Sequence, residues 1–426
     1  SAGRALNKNM MLLSAPSAWV ASEWLRSNLL TGFPWALLGH SQAFGNLPII
    51  QIADITGAFG VSFLIMFVNS VIYLTVSRFR AGKGIPAPAL LAAFLVIMLV
   101  LRYGYIRMNN IFTGEGFRVS VAQGNIPQSK KWDEAFSEHI MKRYEDLTKS
   151  AAAERPDLII WPETAVPGFL ESEEALLSRV RSAVISAGIP VLVGTPRYDP
   201  DAGACYNSAS LFSADGRIVK TYDKIHLVPF GEYIPFRKSL SFVEKFAHNP
   251  IGDFSSGGEY TVFSFFIRRE IGDADSRQTL MKKVKFSCLI CFEDIFPELS
   301  RRLVAGGASL LVNVTNDAWF MKSAAPYQHA QCSVFRAVEN RVGVVRSANT
   351  GLSCFIDQKG RIVDRVGASG DDIFVEGYRS REIVLNRAST FYNRYGDVFS
   401  YICMAIAALF LLLPALPAAK VPGKTG

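Results

Sequence analysis

Three long apolar runs without a charged residue limit what this chain can fold into. They lie at residues 59–76, 87–101 and 398–419. A helix needs about 20 consecutive apolar residues to cross the hydrocarbon core of a bilayer, so the first and third runs are long enough and the second is nearly so. A fourth run at 10–25 carries Glu23 near one end, which also suits a buried or interfacial helix. We therefore expect membrane-spanning helices at about 10–26, 59–77, 87–102 and 397–419.

Basic residues near these four helices predict their orientation. Arg4 and Lys8 precede the first helix, Arg78, Arg80 and Lys83 lie between the second and third, and Lys420 and Lys424 follow the last. Lysine and arginine are enriched in the cytoplasmic loops of membrane proteins. If the helices alternate in direction, all three basic clusters face the cytoplasm. Residues 103–396 then form one extracytoplasmic domain.

The composition supports a membrane protein. Half of the 426 residues are apolar, the mean hydropathy is +0.20 and the net charge is +8. A basic chain can also bind nucleic acid, but this one shows no zinc-finger spacing, no RNP-like motif and no basic helix with interleaved aromatic residues. Its six cysteines are scattered and form no dense disulfide framework. We therefore expect membrane lipid, and no nucleic acid, as a partner.

The segment between the third and fourth predicted helices reads as an α/β domain. Its pattern predicts strands at 117–123, 157–161, 190–194, 284–291 and 309–316, and helices at 134–153, 173–187, 297–305 and 327–341. A hairpin is predicted at 207–224, with its turn at Asp215-Gly216, and further strands around Lys359-Gly360. Residues 238–277 give little pattern and are predicted to be irregular. Strands mixed with helices in this way indicate layered sheets covered by helices.

Two reactive side chains follow predicted strands. Glu163 lies in the sequence Trp-Pro-Glu-Thr, and Lys224 enters a loop rich in aromatic residues, proline and glycine. Scaffolds often place functional residues where strands open into loops. A lysine in such surroundings is expected to be partly desolvated, which lowers its pKa. Taken singly, a solvated carboxylate at a turn and an ordinary lysine at a strand end explain these residues at least as well.

Cys291 is the third candidate, at the end of an apolar strand. Cysteine is a good acyl acceptor when a neighbouring cation or base favours its thiolate. A buried structural cysteine is one alternative, and a Cys-x-x-Cys redox or zinc pair with Cys288 is another. Residues three apart on a strand point to opposite faces. The chain has no second such pair, and His329 with Cys332 is a weak substitute, so we predict no metal site.

The order Glu163, Lys224, Cys291, each at a strand end, resembles the nitrilase superfamily. The segment at 123–128 followed by Lys131-Trp132, the Trp-Pro-Glu-Thr cluster, the stretch at 223–233 and Cys-Phe-Glu are similar to its membrane branch, the apolipoprotein N-acyltransferase family. The resemblance implies a nitrilase-like αββα sandwich flanked by transmembrane helices. The family usually has more helices upstream, so we expect an N-terminal part to be missing. Phe292 stands where the family leads us to expect Tyr.

The family implies a two-step acyl transfer without a cofactor. A phospholipid would acylate Cys291, and the N-terminal α-amine of a diacylglyceryl-modified lipoprotein would then take the acyl group. Glu163 would act as general base and acid, and Lys224 would stabilise the oxyanion together with the backbone N–H after Cys291. Supporting roles are expected for Glu232, which would hold Lys224, and for Glu293; Trp132, Phe292 and the loop at 228–236 would contact the acyl substrate. The implied location is the bacterial inner membrane, with the catalytic domain on the periplasmic side.

Two other functions remain open at this stage. A membrane-anchored nitrilase-type amidase would use the same three residues with water as the second nucleophile. A transporter or scaffold protein with an extracytoplasmic domain would be favoured by charged residues inside the membrane, which the three clearest apolar runs lack.

Overall fold

The structure is a computed structural model that describes residues 2–235, 253–271, 278–368, 370–386 and 389–412; the side chains of residues 2–9 and 271 are outside this description. The described α-helices are α1 (Ala2–Asn28), α2 (Leu47–Ile50), α3 (Ala53–Thr56), α4 (Ala58–Arg80), α5 (Ala87–Asn109), α6 (Glu134–Ala152), α7 (Glu174–Ala187), α8 (Pro297–Ala305), α9 (Ala325–Asn340), α10 (Phe391–Tyr395) and α11 (Val398–Leu412). The chain divides into two compact units, Ser1–Met108 with Tyr395–Gly426, and Asn109–Arg394.

The first unit is helical. Helices α4 and α5 are long and apolar enough to cross a membrane by length and composition. Helix α11 is apolar but has 15 described residues, and the rest of the run predicted to reach residue 419 lies outside the described residues, as do Lys420 and Lys424. Helix α5 continues to Asn109, beyond the predicted end at residue 102. Its last turns are held because Tyr103 and Arg107 both donate hydrogen bonds to the buried carboxylate of Asp54, at 2.7 Å each.

The second unit contains two six-stranded sheets. Its strands are β1 (Gly116–Gln123), β2 (Leu158–Ile160), β3 (Val191–Asp199), β4 (Ala204–Phe212), β5 (Ile218–Asp223), β6 (Phe263–Ile271), β7 (Gln278–Ile290), β8 (Leu310–Thr315), β9 (Gly343–Ala348), β10 (Cys354–Ile356), β11 (Ile362–Arg365) and β12 (Gly377–Val384). The strand order is β12-β1-β2-β3-β4-β5 in one sheet and β11-β10-β9-β8-β7-β6 in the other. Strands β1, β2 and β3 run parallel, as do β7, β8 and β9, and the outer strands pair antiparallel.

The sheets and helices form four layers. One buried core contains Val121 and Leu192 of the first sheet together with Val312 and Val345 of the second, so the two sheets pack face to face. On its other face, the first sheet packs against α6 and α7, and α8 and α9 cover the second sheet. Successive residues of a strand point to opposite faces, which is why β2 supplies both cores. This arrangement confirms the predicted αββα sandwich.

The prediction of an irregular segment at 238–277 is wrong for part of its length. Strand β6 pairs with β7 over nine residues, from Phe263 opposite Phe286 to Ile271 opposite Gln278. Phe263 and Ile267 are buried in the core between the sheets, whereas Phe266 between them is exposed. The apolar Phe266 on the exposed face interrupts the alternation of apolar and polar residues that marks a half-buried strand, so the sequence pattern did not reveal β6. Residues 238–252 and 272–277 of the predicted irregular segment lie outside the described residues.

Candidate active site

The ends of three strands bring the three candidate residues to one place. Glu163 follows β2, Lys224 follows β5, and Cys291 follows β7 as the first residue of a 3-10 helix, Cys291–Ile295. The Nζ atom of Lys224 lies 3.5 Å from Oε1 of Glu163. Both charges act on the pKa of the Cys291 thiol, so the thiol lies near both. Residues separated by more than 120 positions in sequence thus form one cluster.

Lys224 is a buried cation held between two carboxylates. Its Nζ donates a 2.8 Å hydrogen bond to Oε1 of Glu232, whose other oxygen accepts from the Val228 N–H. The Nδ2 atom of Asn207 donates to Oε1 of Glu163 and to Oε1 of Glu232, at 2.8 Å each. Burial alone lowers the pKa of Lys224, but Glu232 and Glu163 outweigh it and hold that pKa well above its usual value. The expected lowering of this pKa is therefore wrong, and the ammonium stays charged.

Glu293 connects the loop after β5 with the end of β7. Its fully buried carboxylate accepts hydrogen bonds from the Tyr222 hydroxyl, at 2.8 Å, and from the backbone N–H groups of Ile225, His226 and Ile290. Burial raises the pKa of Glu293 to about 7, although these hydrogen bonds oppose the rise. The carboxylate thus fixes the backbone on both sides of the cluster. This is a geometric basis for the supporting role expected of it.

The thiol of Cys291 needs a base. Its side chain is partly exposed, whereas that of Cys288 is fully buried. Burial and the charge of Glu163 raise the pKa of the Cys291 thiol well above its usual value. Lys224 and a hydrogen bond with Thr315 act in the opposite direction. The resting thiol is therefore protonated at neutral pH, and a nucleophilic attack by its sulfur requires a nearby proton acceptor.

The backbone of Cys291 adopts a left-handed conformation, with φ = 52°. Residues other than glycine avoid this region, at a cost of about 1–2 kcal/mol. Two side chains contact the carbonyl oxygen of Cys291 and so hold the backbone in this conformation: Asn313 Nδ2 donates to the oxygen at 3.0 Å, and His329 Nε2 lies 3.2 Å from it. A sharp, strained turn from strand to helix exposes a nucleophile in other enzymes.

Lys131 is a second buried cation that the sequence reasoning left without a role. Its side chain is 3 % exposed, and its Nζ donates a 2.9 Å hydrogen bond to the backbone carbonyl of Glu163. Burial lowers the pKa of Lys131 to about 8, against the attraction of Glu163 and Cys291. Asn207 was also missed as a link between the carboxylates. The sequence signal for Lys131 was its place in the Lys131-Trp132 pair, which is part of the resemblance to the family.

The residues predicted to contact the acyl substrate have different environments. Trp132 is 52 % exposed and Phe230, within the loop at 228–236, is half exposed, whereas Phe292 is 8 % exposed. The Phe292 ring packs edge-to-face against Phe296, with ring centroids 5.2 Å apart. Phe236, at the end of that loop, lies outside the described residues. Contact of these residues with an acyl chain remains a prediction.

The chain is similar to two sequence families and to several named proteins. The carbon-nitrogen hydrolase family matches residues 118–384, and the apolipoprotein N-acyltransferase N-terminal domain matches residues 2–71. The apolipoprotein N-acyltransferase of Geobacter metallireducens is 42 % identical over 95 % of this chain and 74 % of its own length. That of Methylococcus capsulatus is 37 % identical over 83 % of this chain and 65 % of its own length. Among solved structures, an amidase from Nesterenkonia sp. is 17 % identical, with a TM-score of 0.46, over 68 % of this chain and 98 % of its own.

Proposed function

Because the chain belongs to the apolipoprotein N-acyltransferase family, we propose that it moves a fatty acyl group from a membrane phospholipid to the N-terminal α-amine of a diacylglyceryl-modified bacterial lipoprotein. One observation carries this proposal: Glu163, Lys224 and Cys291 meet at three strand ends. This arrangement supplies a nucleophile, a base and an oxyanion-stabilising cation, the three groups that acyl transfer through a thioester requires.

The first step forms the thioester. Glu163 takes the proton from the Cys291 thiol, and the sulfur attacks the ester carbonyl carbon of the phospholipid. Negative charge develops on the carbonyl oxygen, where Lys224 and the backbone N–H of Phe292 stabilise it. The tetrahedral intermediate then collapses, the ester C–O bond breaks, and Glu163 gives its proton to the departing lysophospholipid oxygen. Glu232 and Asn207 keep Lys224 and Glu163 in their relative positions through this step.

The second step transfers the acyl group to nitrogen. The lipoprotein amine attacks the thioester carbonyl, and Glu163, a carboxylate again, removes the proton that the new ammonium must lose. The C–S bond breaks, and Glu163 returns this proton to the sulfur of Cys291. Lys224 stabilises the same oxyanion position in both steps. The same residues thus serve both steps, because each step passes through a tetrahedral intermediate with an oxyanion.

Apolar helices have a physical purpose in such a reaction. Helices α4 and α5 are long and apolar enough to cross a bilayer, and both proposed substrates carry acyl chains. An enzyme in water would have to extract these chains from the bilayer, at roughly 0.8 kcal/mol per CH₂ group. A catalytic unit anchored by membrane helices avoids that cost. This consideration favours lipid substrates over the small amides of a soluble hydrolase.

The nature of the acceptor distinguishes acyl transfer from hydrolysis. We expect the purified protein, in mixed micelles with a phospholipid and a synthetic diacylglyceryl-cysteine peptide, to form an amide at the peptide amine. The expected product is detected by mass spectrometry of the peptide, alongside the amount of free fatty acid. An otherwise identical peptide with an acetylated amine is the control and should stay unmodified. Release of free fatty acid alone would identify a hydrolase and contradict the proposal.

We further propose that Asn109–Arg394 lies on the periplasmic side of the bacterial inner membrane, because the three basic clusters fall on one side if the helices alternate: two near the ends of the sequence, and one formed by Arg78, Arg80 and Lys83. A cysteine at exposed Ser150 should react with a membrane-impermeant thiol reagent once the outer membrane is permeabilised. A cysteine at Gly84, where a Cβ meets open space, should react only after the inner membrane is broken. The unsubstituted chain gives the background from native cysteines. The reverse pattern of labelling would exclude this topology.

A further inference from the structure

A cluster of buried charges lies directly behind Cys291. His329 of α9 stands between two carboxylates, with Nδ1 2.8 Å from Oδ1 of Asp317 and Nε2 2.8 Å from Oδ1 of Asp294. Arg346 of β9 pairs with both carboxylates through separate guanidinium nitrogens. All four side chains are at most 1 % exposed. The mechanism proposed above uses none of them.

The contacts of His329 favour a protonated ring. Nε2 lies 2.8 Å from Oδ1 of Asp294 and 3.2 Å from the carbonyl oxygen of Cys291; both oxygens only accept, so Nε2 carries a proton that they share. Nδ1 lies 2.8 Å from the carboxylate of Asp317, which likewise accepts, and a guanidinium nitrogen of Arg346 is farther away, at 3.4 Å. Burial lowers the pKa of His329, but Asp294 and Asp317 outweigh it and raise that pKa to about 9. The ring is therefore an imidazolium at neutral pH, and with Arg346 it balances the charge of the two carboxylates.

The carbonyl that His329 contacts belongs to the peptide group following the nucleophile. This peptide is trans and planar, so its C=O and its N–H point in opposite directions. Fixing the Cys291 carbonyl oxygen therefore fixes the direction of the Phe292 N–H. That N–H is the backbone donor assigned to the oxyanion. Asn313 Nδ2 donates to the same carbonyl oxygen at 3.0 Å, so two side chains hold one peptide plane.

We infer that His329 is a positioning residue for acyl transfer: as a buried cation it holds the Cys291 carbonyl and thereby directs the Phe292 N–H toward the oxyanion. This inference rests on the proposed function and adds to it a residue that touches no substrate. The left-handed backbone of Cys291 gives the contact its importance, because a strained turn relaxes when the groups that hold it are removed. A relaxed turn would rotate the N–H away from the position of the oxyanion.

Two reactions of the Cys291 thiol distinguish the positioning of the Phe292 N–H from a change in the reactivity of the thiol itself. Acylation by phospholipid passes through an oxyanion, whereas alkylation by iodoacetamide displaces iodide and forms none. Both consume the Cys291 thiolate, so a change in the pKa of the thiol affects both rates and largely cancels in their ratio. Both rates are measured at Cys291 by peptide mass spectrometry, in mixed micelles that contain a bacterial phospholipid extract. Thermal unfolding of each variant in detergent reports on the fold.

Two substitutions of His329 form a matched pair. An asparagine amide nitrogen occupies roughly the position of Nδ1 and keeps the contact with Asp317, whereas a glutamine amide reaches the position of Nε2 and keeps the contact with the Cys291 carbonyl. We expect His329→Asn to lower the ratio of acylation to alkylation at least tenfold, since loss of one oxyanion donor typically costs about 10²–10³ in rate. His329→Gln should recover most of the ratio. Asn313→Ala, which changes no charge, should lower the ratio in the same direction as His329→Asn.

An unchanged ratio in His329→Asn, or an equal fall in His329→Gln, would overturn the inference while the wild-type protein still acylates Cys291. If the wild-type protein forms no acyl-enzyme from phospholipid at all, the proposed function itself fails, and the inference fails with it. The wild-type reaction thus distinguishes the two failures.

Discussion

Cys291→Ala is expected to abolish both the acyl-enzyme and the amide product. The sulfur of Cys291 is the atom that would carry the acyl group, and alanine offers no nucleophile in its place. The matched control is Cys288→Ala in strand β7, three residues before Cys291: Cys288 is fully buried in the core between the sheets, and burial raises the pKa of its thiol well above the usual value. We therefore expect the Cys288 variant to retain most activity. The measurement is the rate of amide formation on the lipopeptide together with the mass of the intact protein.

A fully active Cys291→Ala variant would remove the covalent mechanism. Loss of activity in both variants alike would point to damage of the fold at the end of β7, and thermal unfolding would then show it. The pair therefore separates the chemistry of Cys291 from the packing of strand β7.

Glu163→Gln and Lys224→Met are expected to stop thioester formation in protein that remains folded. The glutamine side chain can still accept a hydrogen bond from Asn207 but cannot take the thiol proton, and a positioned general base contributes about 10²–10⁴ in rate. Methionine keeps much of the lysine volume but removes the cation, and loss of an oxyanion-stabilising group costs about 10²–10³. The rate of thioester formation in a single turnover measures both effects. Either variant reacting at the wild-type rate would disprove the role assigned to that residue.

Lys224→Arg refines this test. The Lys224 ammonium is fully buried and fitted between Glu232 and Glu163, where the wider, planar guanidinium of arginine has a different shape. We expect little recovery of activity. Recovery close to the wild-type rate would mean that charge alone matters at this position.

The strongest sequence patterns predicted the architecture well. The fully buried strand β2 reads as a continuous apolar run, and the amphipathic helices α6 and α7 showed the spacing of a half-buried helix. The order of strands and helices then placed Glu163, Lys224 and Cys291 at strand ends. These predictions succeeded because each depends on local periodicity and on the position of a residue relative to its own strand.

Features that depend on distant partners could not be predicted in this way. Strand β12 contains mostly polar residues, such as Arg379 and Arg381, and becomes a strand because β1 pairs with it over eight residues. Asn207 lies in the middle of β4 with no local sign of function, yet it donates to both carboxylates next to Lys224. Local sequence patterns cannot predict which side chains from distant parts of the chain become neighbours at the edge of a sheet.

His329 shows this limit most clearly. The sequence suggested only a weak metal pair with Cys332, which lies on the same helix. In the structure, His329 contacts Asp294 after β7, Asp317 after β8 and Arg346 on β9. These residues lie outside helix α9, so the periodicity of the helix cannot predict the contacts. The raised pKa of Lys224 was missed for the same reason, because the opposing carboxylates become neighbours only through the fold.

The proposed acyl transfer depends on a thioester between a fatty acyl group and Cys291, and mass spectrometry of the protein purified from bacterial membranes can detect it. We expect a fraction of the protein to carry the added mass of one fatty acyl group, located on the peptide that contains Cys291. Hydroxylamine should release this adduct, and a diacylglyceryl-cysteine peptide should discharge it while gaining the same mass. Unmodified protein after incubation with phospholipid, or an acyl group on any other residue, would contradict a mechanism through a Cys291 thioester.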